Sequence, residues 1–245
     1  MDRDTCVSRM QDKLGFGRTD LTSKCIAALQ DTQDDLESSG TLPFWLLQQD
    51  QTLTITPPVP AVATPLEVAL PAGFIREPDD DDGNLRWQQY VPGPQVFLTK
   101  MDYKEAEIFF FNQRQVWWEG NNIVVQTTPP NPSPGVPKAY VLRKSTIRIY
   151  PGPDKVYNLT WSYYAHDSSL VGGNVTNGWT TNAPWKLIGE AGIKVAHDIR
   201  NADAYSAFQD ILEGKPGRQG ASARYLSQLY EREVAGRNHA MGARL

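Results

Sequence analysis

The residues of this chain that could do chemistry are three histidines, two cysteines and a few clustered carboxylates. His166, His197 and His239 lie far apart, and none sits in an H-x-x-x-H spacing that would set two imidazoles around one metal. His197 stands beside Asp198 within a helical pattern, and His166 follows a strand and precedes a turn, so both read as structural or surface residues. Cys6 and Cys25 are nineteen positions apart with no C-x-x-C, which reads as a pair of free thiols in a reducing compartment. Glu105 and Glu107 would share one strand face, roughly 6–7 Å apart, whereas glycoside hydrolysis needs carboxylates flanking a bond in a cleft. The run Asp79-Asp80-Asp81-Asp82-Gly83 lacks the alternating ligand positions and the terminal Glu of a calcium loop. It reads as a solvated acidic loop that can face a basic partner. No G-x-S-x-G, P-loop or dinucleotide fingerprint is present, since Gly15-Phe16-Gly17 lacks a preceding strand and a third glycine. The expectation is a protein without catalytic residues, cofactor or metal.

Partner surfaces carry more information than catalytic motifs. The 245 residues are 40% hydrophobic and 21% charged, with a net charge of −4. That charge is uneven: residues 214–245 carry six basic side chains against Glu231 and Glu233, a net of +4, which leaves −8 on residues 1–213. An acidic chain with a pI near 5.4 does not suit wholesale binding to phosphate backbones. Apolar stretches are too short for a membrane span of about 20 residues, and the first residues do not read as a secretory signal. In the basic segment, Arg224, Arg232 and Arg237 are interleaved with Tyr225, Leu226, Leu229 and Tyr230. An amphipathic helix with basic flanks suits docking into a groove on another protein. Trp117 and Trp118, adjacent on a strand, must point to opposite faces, so one of them is expected at an interface, as is the Asp79–Asp82 loop.

The elements that must hold these residues read as helix, then β, then helix. Leu21, Ile26, Leu29 and Leu36 recur at helical steps, with Asp20 as a candidate cap and Ser38-Ser39-Gly40 as a stop. A shorter helix over Asp4–Leu14 precedes it. Beyond Gln51, short β-branched and aromatic runs broken by Pro and Gly predict a mostly antiparallel β unit. Its strands are expected at 52–56, 66–70, 85–90, 96–99, 108–111, 116–119, 123–126, 139–142, 146–150 and 156–165. Helical spacing returns near Asn182 and, after Gly214-Lys215-Pro216-Gly217, again over 221–235. The expected fold is α+β, a bundle of N- and C-terminal helices (1–48 and 182–236) with a β insert (49–181) and a flexible tail (237–245).

One segment carries a family likeness. Gly135-Val136-Pro137-Lys138-Ala139-Tyr140, Ile147-Arg148-Ile149-Tyr150-Pro151-Gly152-Pro153-Asp154 and Tyr157-Asn158-Leu159-Thr160-Trp161-Ser162-Tyr163-Tyr164 together resemble a pattern of phage head-to-tail adaptor (connector) proteins. Leu70–Arg76 before the acidic loop, and Asn177-Gly178-Trp179 through Pro184-Trp185, stand in similar order. In physical terms Pro-x-Pro-Asp predicts a tight turn, with the flanking strands pairing as a hairpin and Tyr157, Leu159, Trp161 and Tyr163 on one face. The resemblance implies a structural virion protein made in the host cytoplasm and placed at the head–tail junction. Such proteins form a ring with further copies of themselves, commonly twelve, between portal and tail, and DNA passes through it without specific binding. By the same resemblance the portal would be gripped through Arg224, Tyr225, Leu229, Arg232, Arg237, Arg244 and Leu245. Asp79, Asp80, Asp81, Asp82, Trp117 and Trp118 would face the tail or a neighbouring copy. A tail-tube or nozzle subunit and a carbohydrate-binding β module are the alternatives, the latter resting on Glu105 and Trp118.

Overall fold

The computed structural model describes the chain except residues 16–17, 59–63, 79–84, 89–94, 112–114, 120–121, 127–133, 216–217 and 230–245. For residues 87–88, 95, 111, 115–119 and 122–126 only the backbone is described. In chain order the elements are α1 (Arg3–Leu14), α2 (Thr22–Glu37), β1 (Leu47–Ile55), β2 (Leu66–Ala69), β3 (Phe74–Arg76), β4 (Arg86–Gln88), β5 (Gln95–Phe97) and β6 (Thr99–Lys100). There follow α3 (Tyr103–Phe111), β7 (Gln115–Glu119), β8 (Asn122–Gln126), β9 (Ala139–Leu142), β10 (Thr146–Tyr150) and β11 (Tyr157–Ala165). The chain then runs through α4 (Gly178–Asn182), α5 (Pro184–Asp198), α6 (Ala202–Glu213), the two-residue strands β12 (Gly214–Lys215) and β13 (Arg218–Gln219), and helical residues 221–229, here α7. The fold is α+β, with a mostly antiparallel β region inserted into a helical unit.

Two compact units result: residues 1–46 with 166–245, and residues 47–165. In the helical unit, Asp2 caps α1 by accepting from the Thr5 amide at 2.8 Å. Cys6, Val7, Met10 and Leu14 form its buried stripe. Asp20 does not cap α2; its carboxylate pairs with Arg18 at 2.9 Å, one 3₁₀ turn before the helix starts at Thr22. Along α5, Leu187, Ile188, Ala191, Gly192 and Val195 are buried, while Trp185 is half solvent-facing. A Cβ on Gly192 would lie 2.4 Å from the Phe208 ring of α6, so the glycine is what lets these two helices approach.

In the β unit, β11 is the hub of a five-stranded sheet ordered β1-β11-β4-β5, with β3 also pairing β11. The second sheet has the order β2-β10-β9-β6. Tyr140, Ile147 and Ile149 of this sheet share one core with Tyr157, Leu159, Trp161 and Tyr163 of the first. The alternate residues Ala139, Val141 and Tyr150 face the other way, against Ala106 and Phe110 of α3. The period-two rule therefore assigns both faces of this sheet.

Three expectations are corrected here. Ile108–Phe111 is the last turn of α3 and no strand: Asp102 accepts from the Lys104 amide, the run Glu105-Ala106-Glu107 favours helix, and Ala106 and Phe110 at i, i+4 bury one face. The β propensity of three phenylalanines loses to that tertiary contact. Next, β10 and β11 do not form a hairpin, because they lie in different sheets and Pro151-Gly152-Pro153 carries the chain across between them. Asp154 accepts the Tyr157 hydroxyl at 2.6 Å rather than capping backbone. Finally, the division falls at 46/47 and 165/166, not at 48/49 and 181/182, because residues 166–181 are bonded to α2.

Gly192→Ala tests the helix contact. Alanine gains about 1 kcal/mol in helix propensity, but overpacking against a fully buried ring costs about 1–3 kcal/mol. A lower urea midpoint is expected, partly restored when Phe208 is also changed to Leu. Cys6 and Cys25 are free and wholly buried, and burial pushes both thiols up from 9.0 to about 11. Unfolded thiols therefore ionise first as pH rises above 9, and the stability contribution they make is lost between pH 9 and 11. The wild type should lose more stability across that window than a Cys6→Ala, Cys25→Ala variant; equal losses would contradict the assignment.

Candidate partner-binding surface of the helical unit

Helix α7 was read from the sequence as an arm for another protein's groove, and its described residues show how its two sides divide. Tyr225 is buried, its ring 6.1 Å from Trp45 and 6.0 Å from Trp179, which themselves meet edge to face at 5.4 Å. The Lys186 ammonium lies 5.3 Å from the Tyr225 ring centroid. Tyr225 thus anchors α7 to its own unit, while Arg224 is exposed and Leu229 half-buried. Burial pushes the Tyr225 hydroxyl up to about 12, with the charge of Glu190 adding to the effect. That hydroxyl has no hydrogen-bond partner among the described residues.

Anchoring α7 in this way leaves a groove between it and the start of α5. Pro184, Trp185 and Lys186 form one wall and Arg224, Tyr225 and Gln228 the other, around a shallow, open space of about 80 Å³. Pro184 at the first position of α5 suits a helix start, and no side chain caps that end. Lys186 also bonds Glu190 one turn on, at 2.6 Å. Among the described residues Arg224 reaches the Gly220 carbonyl, just before its own helix, at 3.5 Å through Nε.

A second polar constellation surrounds Glu37, which is 1% exposed at the end of α2. Its Oε1 accepts from the Trp179 indole at 2.8 Å and from the Asp167 amide at 3.3 Å, and its Oε2 lies 2.7 Å from His166 Nδ1. One and two turns earlier, Gln33 accepts from the Asn177 amide group, and Gln30 accepts from the Leu170 backbone and the Ser169 hydroxyl. Asp167 in turn accepts from the Gly178 amide at 2.6 Å. A Cβ at Gly178 would sit 2.5 Å from Trp45, so that position is confined to glycine. This side of α2 fastens the segment 166–179. A half-exposed histidine beside a buried carboxylate has the parts of a proton-transfer pair, but the other Glu37 oxygen is spent on the Asp167 amide and the Trp179 indole, which favours a structural role.

The remaining sequence-predicted residues do not converge with these. Arg232, Arg237, Arg244, Leu245 and Asp79–Asp82 lie outside the described residues. Trp117 and Trp118 lie on β7, paired to β8 with Trp117 opposite Val124, and their side chains are outside the description. Glu105 and Glu107 sit two apart on a helix, hence on different sides. Glu105 is exposed, whereas Glu107 accepts the Tyr150 hydroxyl at 2.9 Å and pairs with Arg148. The strand-face dyad considered for glycoside chemistry is therefore corrected. Among the described residues no group of His, Cys, Asp and Glu could hold a metal, and no helix is long and apolar enough to cross a membrane. Sequence reasoning missed Gln30, Gln33 and Glu37, although their spacing marks a second, polar stripe on α2. It also missed Trp185, Lys186 and Gln228, which only the placement of α7 brings to one groove. Neither a scan against protein-family models nor a search of curated proteins returns a match to this chain.

Replacing Glu37 tests the fastening. Glu37→Ala leaves the buried Trp179 indole and the Asp167 amide without an acceptor, at about 1–3 kcal/mol each. Glu37→Gln keeps one acceptor oxygen and should cost less. His166→Ala should cost least, about 1 kcal/mol or below, because its side chain is 52% exposed and the pair is screened. Thermal unfolding of the three variants reads this order, and a His166→Ala loss as large as that of Glu37→Ala would contradict it.

Proposed function

We propose that the protein is a structural component of a phage particle, a head-to-tail adaptor that joins further copies of itself in a ring between portal and tail. The observation that carries this reading is the segment 135–164 in its place. The residues that resemble the adaptor pattern supply β9, β10 and β11 and the core of an insert that interrupts a helical unit. Tyr140, Ile147, Ile149, Leu159 and Trp161 are spent on packing, so the motif works as a fold determinant and offers no catalyst.

 The net charge of −8 on residues 1–213 supports the same reading, because like charge keeps a DNA phosphate backbone from adhering to a conduit it must cross. The basic segment from Arg224 onward is, on this reading, the surface offered to the portal, and the β unit with its Asp79–Asp82 run is offered to the tail or a neighbouring copy. The protein then needs no catalytic residue and no cofactor.

Electron micrographs of the purified chain, alone and mixed with a candidate portal, test the proposal. Rings that appear only in the mixture are expected, and a variant ending at residue 236 should lose them while unfolding at the same temperature. A chain that never joins a portal, or that turns over or binds a sugar in a manner lost in Trp118→Ala, would overturn the adaptor reading.

A further inference from the structure

The groove between α5 and α7 has a definite chemistry. Among the described residues, Lys186 and Arg224 are the charged side chains that line it, and both are cationic. The Lys186 charge is shared with Glu190, 2.6 Å away. The Arg224 terminal amino groups hold no partner among the described residues, and a guanidinium fork of that kind matches a carboxylate in two parallel hydrogen bonds. Beside it stand the Trp185 indole, 36% exposed, the Gln228 amide, and Tyr225 with its buried, unpartnered hydroxyl. A flat aromatic next to a cation and an amide suits a short peptide better than a bare ion.

We propose that this groove is a docking site for an acidic peptide segment of a partner protein, one carboxylate side chain pairing with Arg224 and its neighbour lying against Trp185. The inference rests on reading the chain as a binding protein within an assembly, and it names the chemistry of one partner surface. A different protein is favoured over a second copy by charge. The exposed acidic ridge of α2, which a second copy would offer, has its own partners, Asp34 accepting from Gln30 at 2.7 Å and Asp35 pairing with Lys194 at 2.7 Å. Nucleic acid is disfavoured because the groove presents two cations on an otherwise acidic chain.

The test uses the full chain with two synthetic peptides, acetyl-Gly-Pro-Asp-Glu-Pro-Gly-amide and its Asn/Gln analogue, followed through the Trp185 indole signal in ¹H–¹⁵N spectra. That signal is identified by its absence in Trp185→Phe. The acidic peptide should move it saturably, more weakly as salt rises, and at least tenfold more weakly in Arg224→Glu, whose exposed position leaves the other signals in place. Tyr225→Phe, which keeps the ring and removes the hydroxyl, should weaken binding by a smaller factor. Equal binding of the neutral peptide, no shift at millimolar peptide, or no effect of Arg224→Glu overturns the proposal. So does a Trp185 signal that moves with protein concentration and not with peptide, because a second copy is then the occupant. Peptide binding without portal rings in micrographs would overturn the adaptor reading and leave the groove standing.

Discussion

The antiparallel pairing of β1 with β11 is the constraint on which this architecture depends. Leu47 lies opposite Tyr164, and the ladder runs on to Ile55 opposite Tyr157, so the first and last strands of the insert are neighbours. A chain segment can interrupt a helical unit only if its two ends come back together, and closing a long loop without internal structure carries an entropic cost that grows with length. Here the ends are joined by a ladder of backbone hydrogen bonds that the insert forms within itself. A bulge between Gln48 and Gln51 shifts the register, and the Ser162 hydroxyl oxygen meets it by accepting from the Asp50 amide at 3.1 Å. The rest of that sheet is then organised by β11, which also pairs with β3 and β4.

Each unit holds one buried carboxylate in the same manner. Glu37 in the helical unit and Glu77 in the β unit each accept from a buried tryptophan indole, Trp179 and Trp161 respectively, both at 2.8 Å. Glu77 accepts the Tyr140 hydroxyl at 2.7 Å as well, and Lys100 pairs with its other oxygen at 2.6 Å. Burial and that neighbouring charge hold the Tyr140 hydroxyl well above its ordinary range. A buried ion gains little net stability over an apolar replacement, but losing one of its partners is costly. What such a cluster contributes is selection among packings: the Trp161 indole has one acceptor within reach, and that fixes the face of β11 that turns inward. Two buried carboxylates beside aromatic groups would suggest catalysis if taken alone. Their fully bonded oxygens favour a structural role.

Fold class and most element positions were legible because they depend on local pattern. β9 and β10 occupy the residues that alternation assigned, and α1 begins one residue from its expected start. What was not legible depends on contacts distant in sequence. The phenylalanines of α3 read as a strand until Ala106 and Phe110 meet β9 and Tyr150. Pro151-Gly152-Pro153 has the composition of a hairpin turn, and only the sheet assignment of its flanking strands makes it a crossing. Residues 166–181 look like the polar end of a β region, yet their partners are the Gln30, Gln33 and Glu37 stripe, more than a hundred residues earlier. Of the candidate surface, Arg224 was legible as an exposed cation. Trp185 and Lys186 were not, because they stand in a helix whose apolar spacing gave Trp185 a core position.

The same helix shows why a basic, aromatic-striped segment is ambiguous in sequence. In α7 a tyrosine next to an arginine can be an anchor for a partner or an anchor for its own fold, and both produce one spacing. Tyr225 resolves this by its neighbours: Trp45 and Trp179 are already in edge-to-face contact, and a third ring closes the cluster. Once that ring is committed inward, helical geometry turns Arg224 and Gln228, which lie one turn apart, toward the start of α5. The backbone that carries Arg224 is therefore anchored by its neighbour Tyr225 in an aromatic cluster, and an anchored backbone has less conformational entropy to lose when a partner binds. The exposure of Arg224 and Gln228 is thus tied to the packing of three aromatic rings inside the helical unit.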